Sequence, residues 1–128
     1  MQERKVMIIE DDRFLSSVIK ARLEKSGMKV SQAFDGNEAL LSMKQDKPDL
    51  IILDLIMPKT TGFEVLEKIA ATNDLKEMPV VVLSHLAQAS DIAKAKSLGV
   101  KEYFVKVRVS IEEVINKVQE LMGEDKID

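Results

Sequence analysis

The chain has 128 residues, a length typical of a single domain. It contains no cysteine, which excludes disulfide bonds and thiolate metal sites. Its net charge of −3, from 19 basic and 22 acidic residues, argues against a protein that binds nucleic acid through bulk positive charge. Every apolar run is shorter than the ~18 residues of a membrane span, and the N-terminus lacks a signal-peptide pattern. These features predict a cytoplasmic domain that contacts neither nucleic acid nor membrane directly.

Short apolar runs alternate along the chain with stretches of helical periodicity. The runs are continuous rather than alternating in polarity, which is typical of strands buried on both faces. The pattern predicts strands β1 to β5 at 6–10, 28–33, 49–54, 79–84 and 102–106, and helices α1 to α5 at 13–26, 36–45, 63–72, 88–98 and 111–122. Because a helix follows every strand, we predict an α/β domain with a parallel sheet and helices on both faces. A short polar tail is expected at 124–128.

Capping signals support the predicted helix starts. Capping-box spacing, in which a short polar residue precedes Glu by three positions, occurs at Asp35–Glu38, Thr61–Glu64 and Ser110–Glu113. Asp12 stands directly before α1. We therefore predict Asp12 to be an N-cap rather than a metal ligand.

Polar or charged residues stand where four of the five predicted strands end. Glu10 and Asp11 end β1, Asp54 ends β3, Ser84 ends β4 and Lys106 ends β5. The carboxyl ends of parallel strands form the ligand-binding edge of such sheets. Each residue alone has a structural explanation, such as a turn, a local backbone hydrogen bond or a solvated cation. Together they predict a functional site at this edge.

The carboxylates at this edge indicate a metal. Two carboxylates about 4 Å apart repel by about 4 kcal/mol at an effective dielectric constant of about 20, so crowding Asp11 against Asp54 favours a bound cation. Oxygen ligands without cysteine are typical of Mg²⁺. Mg²⁺ commonly shares a phosphate, and Lys106 adds a positive charge for a phosphoryl group. The chain has no GxxxxGK[ST] loop and no GxGxxG after β1, so the pattern predicts metal-dependent phosphoryl chemistry instead.

At these positions the chain resembles the receiver domain of two-component response regulators. The resemblance extends over residues 5–122 and is carried by Val6–Asp12 (VMIIEDD), Asp54–Glu64 (DLIMPKTTGFE), Ser84 and Leu98–Lys106 (LGVKEYFVK). It implies a flavodoxin-like (βα)5 fold with sheet order 2-1-3-4-5. It also implies that residues 1–128 are one receiver domain with its core at 5–122, and we expect no output domain.

The resemblance implies that Asp54 is the phosphoacceptor. Its donor would be a phosphohistidine on a sensor histidine kinase or a histidine phosphotransfer protein. Asp11, Asp54 and the backbone carbonyl of Ile56 would hold Mg²⁺, with Glu10 acting through water. Pro58 and Gly62 would shape the loop after β3.

The resemblance also implies a switch. Lys106 would pair with the phosphoryl oxygens and Ser84 would bond the phosphoryl group, while Tyr103 changes its packing in response. The output surface would be the α4-β5-α5 face, which would bind a downstream protein target as a monomer or as a phosphorylation-dependent dimer. Such a domain is not an enzyme, since it promotes only its own phosphorylation and dephosphorylation.

Two residues depart from the family pattern. His85 follows the switch hydroxyl where the family usually has a small residue, and we expect it to point to solvent. Val107 follows the lysine in place of the usual proline, and because a non-proline cis bond costs about 2.5–4 kcal/mol, we expect a trans bond. These departures keep open a pseudo-receiver, a protein-binding module that acts without phosphorylation. A small Mg²⁺-dependent phosphatase is disfavoured because it would need an acid at position 56, which is Ile56.

Overall fold

The computed structural model describes residues 3–123, so the tail predicted at 124–128 lies outside the described residues. The strands are β1 Lys5–Ile9, β2 Lys29–Ala33, β3 Leu50–Leu53, β4 Val80–Ser84 and β5 Glu102–Val105. The helices are α1 Arg13–Lys25, α2 Gly36–Gln45, α3 Gly62–Ala70, α4 Ala89–Ser97 and α5 Ile111–Leu121, with a short 3-10 helix at Lys106–Arg108. Within these residues no helix combines the length and the apolar character that a bilayer crossing requires.

The five strands form one parallel sheet in the order β2-β1-β3-β4-β5, which confirms the predicted fold. This order places the carboxyl ends of β1 and β3 side by side, with Ile9 paired to Leu53. β4 lies between β3 and β5, so a side chain from β5 must reach across β4 to meet one from β3.

Helices cover both faces of the sheet because the strand side chains alternate between them. Met7 and Ile9 of β1 belong to a core formed with α2, α3 and α4. Val6 and Ile8 belong to a second core formed with α1 and α5. All four side chains are almost wholly buried, which explains why this strand is apolar at every position rather than alternating.

The predicted ends of the elements match the structure, as for α2, or differ from it by one or two residues. Glu10 and Asp54, predicted as the last residues of β1 and β3, lie just beyond those strands. Their amides still donate to neighbouring strands, to the carbonyls of Ala33 and Ile9 at 3.1 and 3.0 Å. Lys106 begins a 3-10 helix that the sequence analysis did not predict, and its peptide bond to Val107 is trans, as predicted.

Two of the three predicted capping boxes are confirmed, those of Thr61–Glu64 and Ser110–Glu113. The third is wrong. Asp35 does accept from the Glu38 amide at 2.8 Å, but the Glu38 carboxylate accepts from the amide of Phe34 instead of that of Asp35. The Glu38 side chain therefore caps the amide of the residue before the N-cap rather than that of the N-cap itself. Asp12 caps α1 as predicted, accepting from the amide of Leu15 at 3.1 Å.

Candidate functional site

Three carboxylates converge beyond the ends of β1 and β3. One oxygen from each of Glu10, Asp11 and Asp54 lies within 4.8 Å of the others. Glu10 and Asp54 are buried, with 2% and 5% exposure, whereas Asp11 is exposed. The donor set consists of carboxylate oxygens with one open side, which is the set that Mg²⁺ or Mn²⁺ prefers. These residues fit a hard divalent cation.

Lys106 brings a positive charge into this cluster from the far side of β4. Its ammonium nitrogen lies 2.9 Å from Glu10 Oε1 and 3.2 Å from Asp54 Oδ2. The lysine side chain is only 11% exposed, so solvent screens these contacts weakly. With all three carboxylates ionised, one ammonium leaves two negative charges, which one divalent cation would balance.

Burial and ion pairing shift the pKa values of Glu10 and Lys106. Burial raises the pKa of Glu10 to about 7, although hydrogen bonds from Lys106 and from the Asp12 amide act to lower it. Burial acts to lower the pKa of Lys106, but the hydrogen bond to Glu10 and the charge of Asp54 outweigh it and raise that pKa above its ordinary value. Lys106 therefore remains charged at neutral pH.

The loop after β3 holds Asp54 through its backbone. The amide of Ile56 donates to Asp54 Oδ1 at 3.1 Å, and the amide of Gly62 donates to the Leu55 carbonyl at 3.1 Å. A Cβ atom on Gly62 would lie 2.5 Å from both the Asp54 carbonyl oxygen and Leu55 Cα. Only glycine allows this approach. The side chain of Ile56 is 50% exposed, and the role of its carbonyl as a metal ligand stays a prediction.

Ser84 and Tyr103 meet through the main chain of Leu86. The amide of Leu86 donates to Ser84 Oγ at 3.3 Å, and its carbonyl accepts from the Tyr103 hydroxyl at 2.9 Å. Ser84 is fully buried and Tyr103 is 8% exposed, and burial raises the pKa of the Tyr103 hydroxyl. The two predicted switch residues are thus linked through the main chain of Leu86, and a hydrogen bond with Ser84 acts to lower the pKa of Tyr103 against the effect of burial.

His85 and Val107, the two departures from the family pattern, both lie on the surface. His85 is exposed, as expected, and lines a cavity of about 250 Å³ with Asp12 and Lys106. Val107 is 78% exposed. Neither residue displaces Lys106 from Asp54.

Two contacts of the site were missed by the sequence analysis. The amide of Asp12 donates to Glu10 Oε2 at 3.0 Å, and the main chain of Leu86 joins Ser84 to Tyr103. Both use backbone atoms, which every residue type carries, so no residue-type pattern could have indicated them.

Comparison with known proteins agrees with the geometry. The family model described as "Response regulator receiver domain" matches residues 6–119. The chain is 33% identical over 118 residues to the "DNA-binding dual master transcriptional regulator RpaA" of Synechocystis sp., a match that covers 92% of this chain and 48% of that protein. The chain spans about half the length of the curated relatives it matches.

Solved structures of similar proteins share the fold. The chemotaxis protein CheY4 of Vibrio cholerae superposes with a TM-score of 0.85 at 26% identity, over 93% of this chain and 98% of that one. The phosphorylated cyanobacterial phytochrome response regulator RcpA gives a TM-score of 0.80 at 31% identity, over 94% and 91% of the two chains. From its sheet order, its acidic edge with Lys106 and these matches, the chain belongs to the receiver domain family of two-component response regulators.

Proposed function

We propose that this receiver domain accepts a phosphoryl group on Asp54 from a phosphohistidine of a sensor histidine kinase or histidine phosphotransfer protein. The observation that carries the proposal is the convergence of three carboxylate oxygens within 4.8 Å, with Lys106 at 3.2 Å from Asp54. An Asp54 oxygen attacks the phosphorus atom, so that a P–O bond forms while the P–N bond breaks. The imidazole leaves with the bonding electrons and takes up a proton.

The metal in this proposal is Mg²⁺, held by Asp11, Asp54 and the Ile56 carbonyl, with Glu10 acting through water. The contacts of Glu10 with Lys106 and with the Asp12 amide hold its carboxylate beside the proposed ion. When bound, the ion neutralises charge on the transferred phosphoryl group. It also relieves the repulsion between the carboxylates.

Lys106 would pair with the phosphoryl oxygens after transfer. Its ammonium already lies against Asp54 Oδ2, and a phosphoryl group on that carboxylate would bring new negative oxygens within its reach. Because the lysine side chain is mostly buried, this charge-assisted contact would be strong.

The switch in this proposal runs through Ser84 and Tyr103 to the α4-β5-α5 face, which would bind the downstream protein target. Ser84 Oγ accepts from the Leu86 amide and its hydroxyl also lies within hydrogen-bonding reach of Tyr103, so Ser84 would exchange the contact with Tyr103 for one with a phosphoryl oxygen. Ser84 is fully buried, and in this proposal the loop after β4 shifts to bring the two groups together. That movement displaces Leu86, the partner of Tyr103. The active form would be a monomer or a phosphorylation-dependent dimer.

The test is incubation with acetyl phosphate and Mg²⁺, followed by intact mass measurement. We expect one added phosphoryl group in the wild type and none in Asp54→Ala. Asp74→Ala is the matched control, since Asp74 is an exposed aspartate away from the site, and it should be phosphorylated like the wild type. An unmodified wild type would instead support the alternative, a pseudo-receiver that binds partners without phosphorylation.

A further inference from the structure

A groove lies between α2 and α3, away from the carboxylate cluster. It encloses about 660 Å³, and its apolar side chains include Leu40 and Leu41 of α2 and Leu75, which follows α3. Leu41 is 64% exposed, although most large apolar side chains of the described residues are buried. A second hollow continues the groove at the end of α2, because the two share Lys44, Thr72 and Leu75. We call the combined feature the α2–α3 groove.

The rim of the α2–α3 groove is positively charged. Lys44, Lys47 and Lys68 line it, against one acidic residue, Asp74. None of the three lysines forms an ion pair with a carboxylate in the part of the chain that the structure describes. The chain as a whole carries more acidic than basic residues, so this excess of positive charge is local.

We infer that the α2–α3 groove is a docking site for an acidic amphipathic helix of a partner protein. A partly exposed apolar floor, with Leu41 at its surface, lies between lysines that form no ion pair within the described part of the chain. It is complementary to a helix with an apolar stripe flanked by carboxylates. The lining residues of α2 run from Asn37 to Gln45, opposite Lys68 of α3 and the residues that follow α3. This stretch of α2 is about 12 Å long, which matches about two turns of a docked helix. Leu41 is the apolar anchor of this site.

The inference goes beyond the proposed function, because the groove shares no residue with the α4-β5-α5 face. It requires neither phosphorylation nor Mg²⁺. The experiment below uses the unphosphorylated full chain, so its outcome is independent of whether Asp54 accepts a phosphoryl group.

The probe is a synthetic, helix-stapled peptide of about 14 residues, with leucines at i, i+4 and i+7 between glutamates. Binding is followed by fluorescence anisotropy and by amide shifts in NMR spectra. We expect saturable binding with shifts confined to α2, α3 and residues 71–75. Leu41→Ser should weaken binding by about tenfold or more, and so should the double change Lys44→Glu with Lys68→Glu.

Controls distinguish specific binding in the groove from non-specific binding elsewhere on the surface. Lys101→Glu changes an exposed lysine that forms no ion pair within residues 3–123, and it should bind the peptide like the wild type. All these positions are exposed, so circular dichroism should show unchanged folds. A peptide with lysines in place of the glutamates should not bind.

Three results would overturn the inference. The first is equal binding of the acidic and basic peptides, or amide shifts outside the groove. The second is that the peptide does not bind, whereas the protein binds phosphatidylglycerol vesicles and Leu41→Ser abolishes this vesicle binding. That result would make the groove a membrane contact. The third is self-association in sedimentation experiments that Leu41→Ser abolishes, which would assign the groove to a second copy of this chain.

Discussion

The hydroxyl of Tyr103 donates a 2.9 Å hydrogen bond to the main-chain carbonyl of Leu86. The amide of the same residue donates to Ser84 Oγ, so one residue of the loop after β4 bonds both predicted switch residues. A ligand shifts a conformational equilibrium only through contacts that differ between the two states. Movement of Leu86 would change both hydrogen bonds together, so a change at Ser84 would be transmitted to Tyr103.

Ser84→Ala should separate phosphorylation from the response to it. The variant keeps Asp54 and Lys106, so we expect it to accept a phosphoryl group, but it lacks the hydroxyl that would bond that group. Amide shifts on α4, β5 and α5 after phosphorylation should therefore be much smaller than in the wild type. Ser17→Ala, at an exposed serine of α1, is the control. Equal shifts on that face in Ser84→Ala and wild type would show that Ser84 is not part of the switch.

Mg²⁺ should raise the melting temperature of the protein. A ligand that binds only the folded state stabilises it by about 2.7 kcal/mol when present at 100 times its Kd. Asp11→Asn removes one charge of the cluster and should lose most of that gain, whereas Asp74→Asn should retain it. Thermal melts across an Mg²⁺ titration provide the measurement. A wild-type melting curve that does not change with Mg²⁺ would contradict the proposed metal site.

Glu10 should make the metal-free protein less stable as the pH rises. Its pKa is raised from an ordinary 4.5 to about 7 in the folded state, chiefly by burial. Between these values the folded state binds more protons than the unfolded state, so the free energy of unfolding falls with increasing pH. The contribution of Glu10 is fully present below its unfolded pKa and is lost as the pH rises through its folded pKa.

Glu10→Gln tests this dependence, because glutamine stays neutral at every pH. Urea unfolding in EDTA, between about pH 5 and about pH 8, should show a smaller loss of stability in Glu10→Gln than in the wild type. Glu38→Gln, at an exposed glutamate, should follow the wild type. If Glu10→Gln and wild type lose stability equally, the raised pKa is wrong.

Gly62→Ala should disturb the acceptor loop. The added Cβ would stand 2.5 Å from the Asp54 carbonyl oxygen and from Leu55 Cα, and such overpacking typically costs about 1–3 kcal/mol. Because the strain falls on the backbone of Asp54, the rate of its phosphorylation should fall as well. Gly27→Ala is the control, since Gly27 has a φ of +91° but no atom within 4 Å of an added Cβ. It should lose stability and keep its phosphorylation rate, and a Gly62→Ala variant with a normal rate would contradict the prediction.

The phosphorylated form should be long-lived. Hydrolysis needs a water aligned behind the phosphoryl group, and Ile56, at 50% exposure, offers it no hydrogen bond. Leu86 packs partly against the core and is also apolar. We expect Ile56→Asn with Leu86→Glu to lose phosphate faster than the wild type, measured by mass over time. His85→Ala serves as the comparison, and slower loss in that variant would show that the imidazole assists hydrolysis.

The order of elements, the parallel sheet and the polar residues at its edge were predictable from sequence, because these signals are local. A four-residue apolar run such as Leu50–Leu53, or a capping box such as Ser110–Glu113, depends on neighbours in the chain. The strand order and the roles at the edge came from the resemblance to receiver domains. That resemblance rests on the same few polar positions, and it predicted that Asp54 and Lys106 share one site, where the structure brings them to 3.2 Å.

Only the tertiary structure decided how these groups meet. The pKa of Glu10 depends on burial by residues distant in sequence, and the position of Lys106 depends on how β5 aligns with β3 across β4. The link through Leu86 and the approach of Gly62 to Asp54 involve backbone atoms that no residue pattern marks. The α2–α3 groove exists because two helices pack side by side and leave Leu41 exposed. Sequence periodicity determines which elements form, whereas through-space packing and desolvation determine the chemistry at their ends.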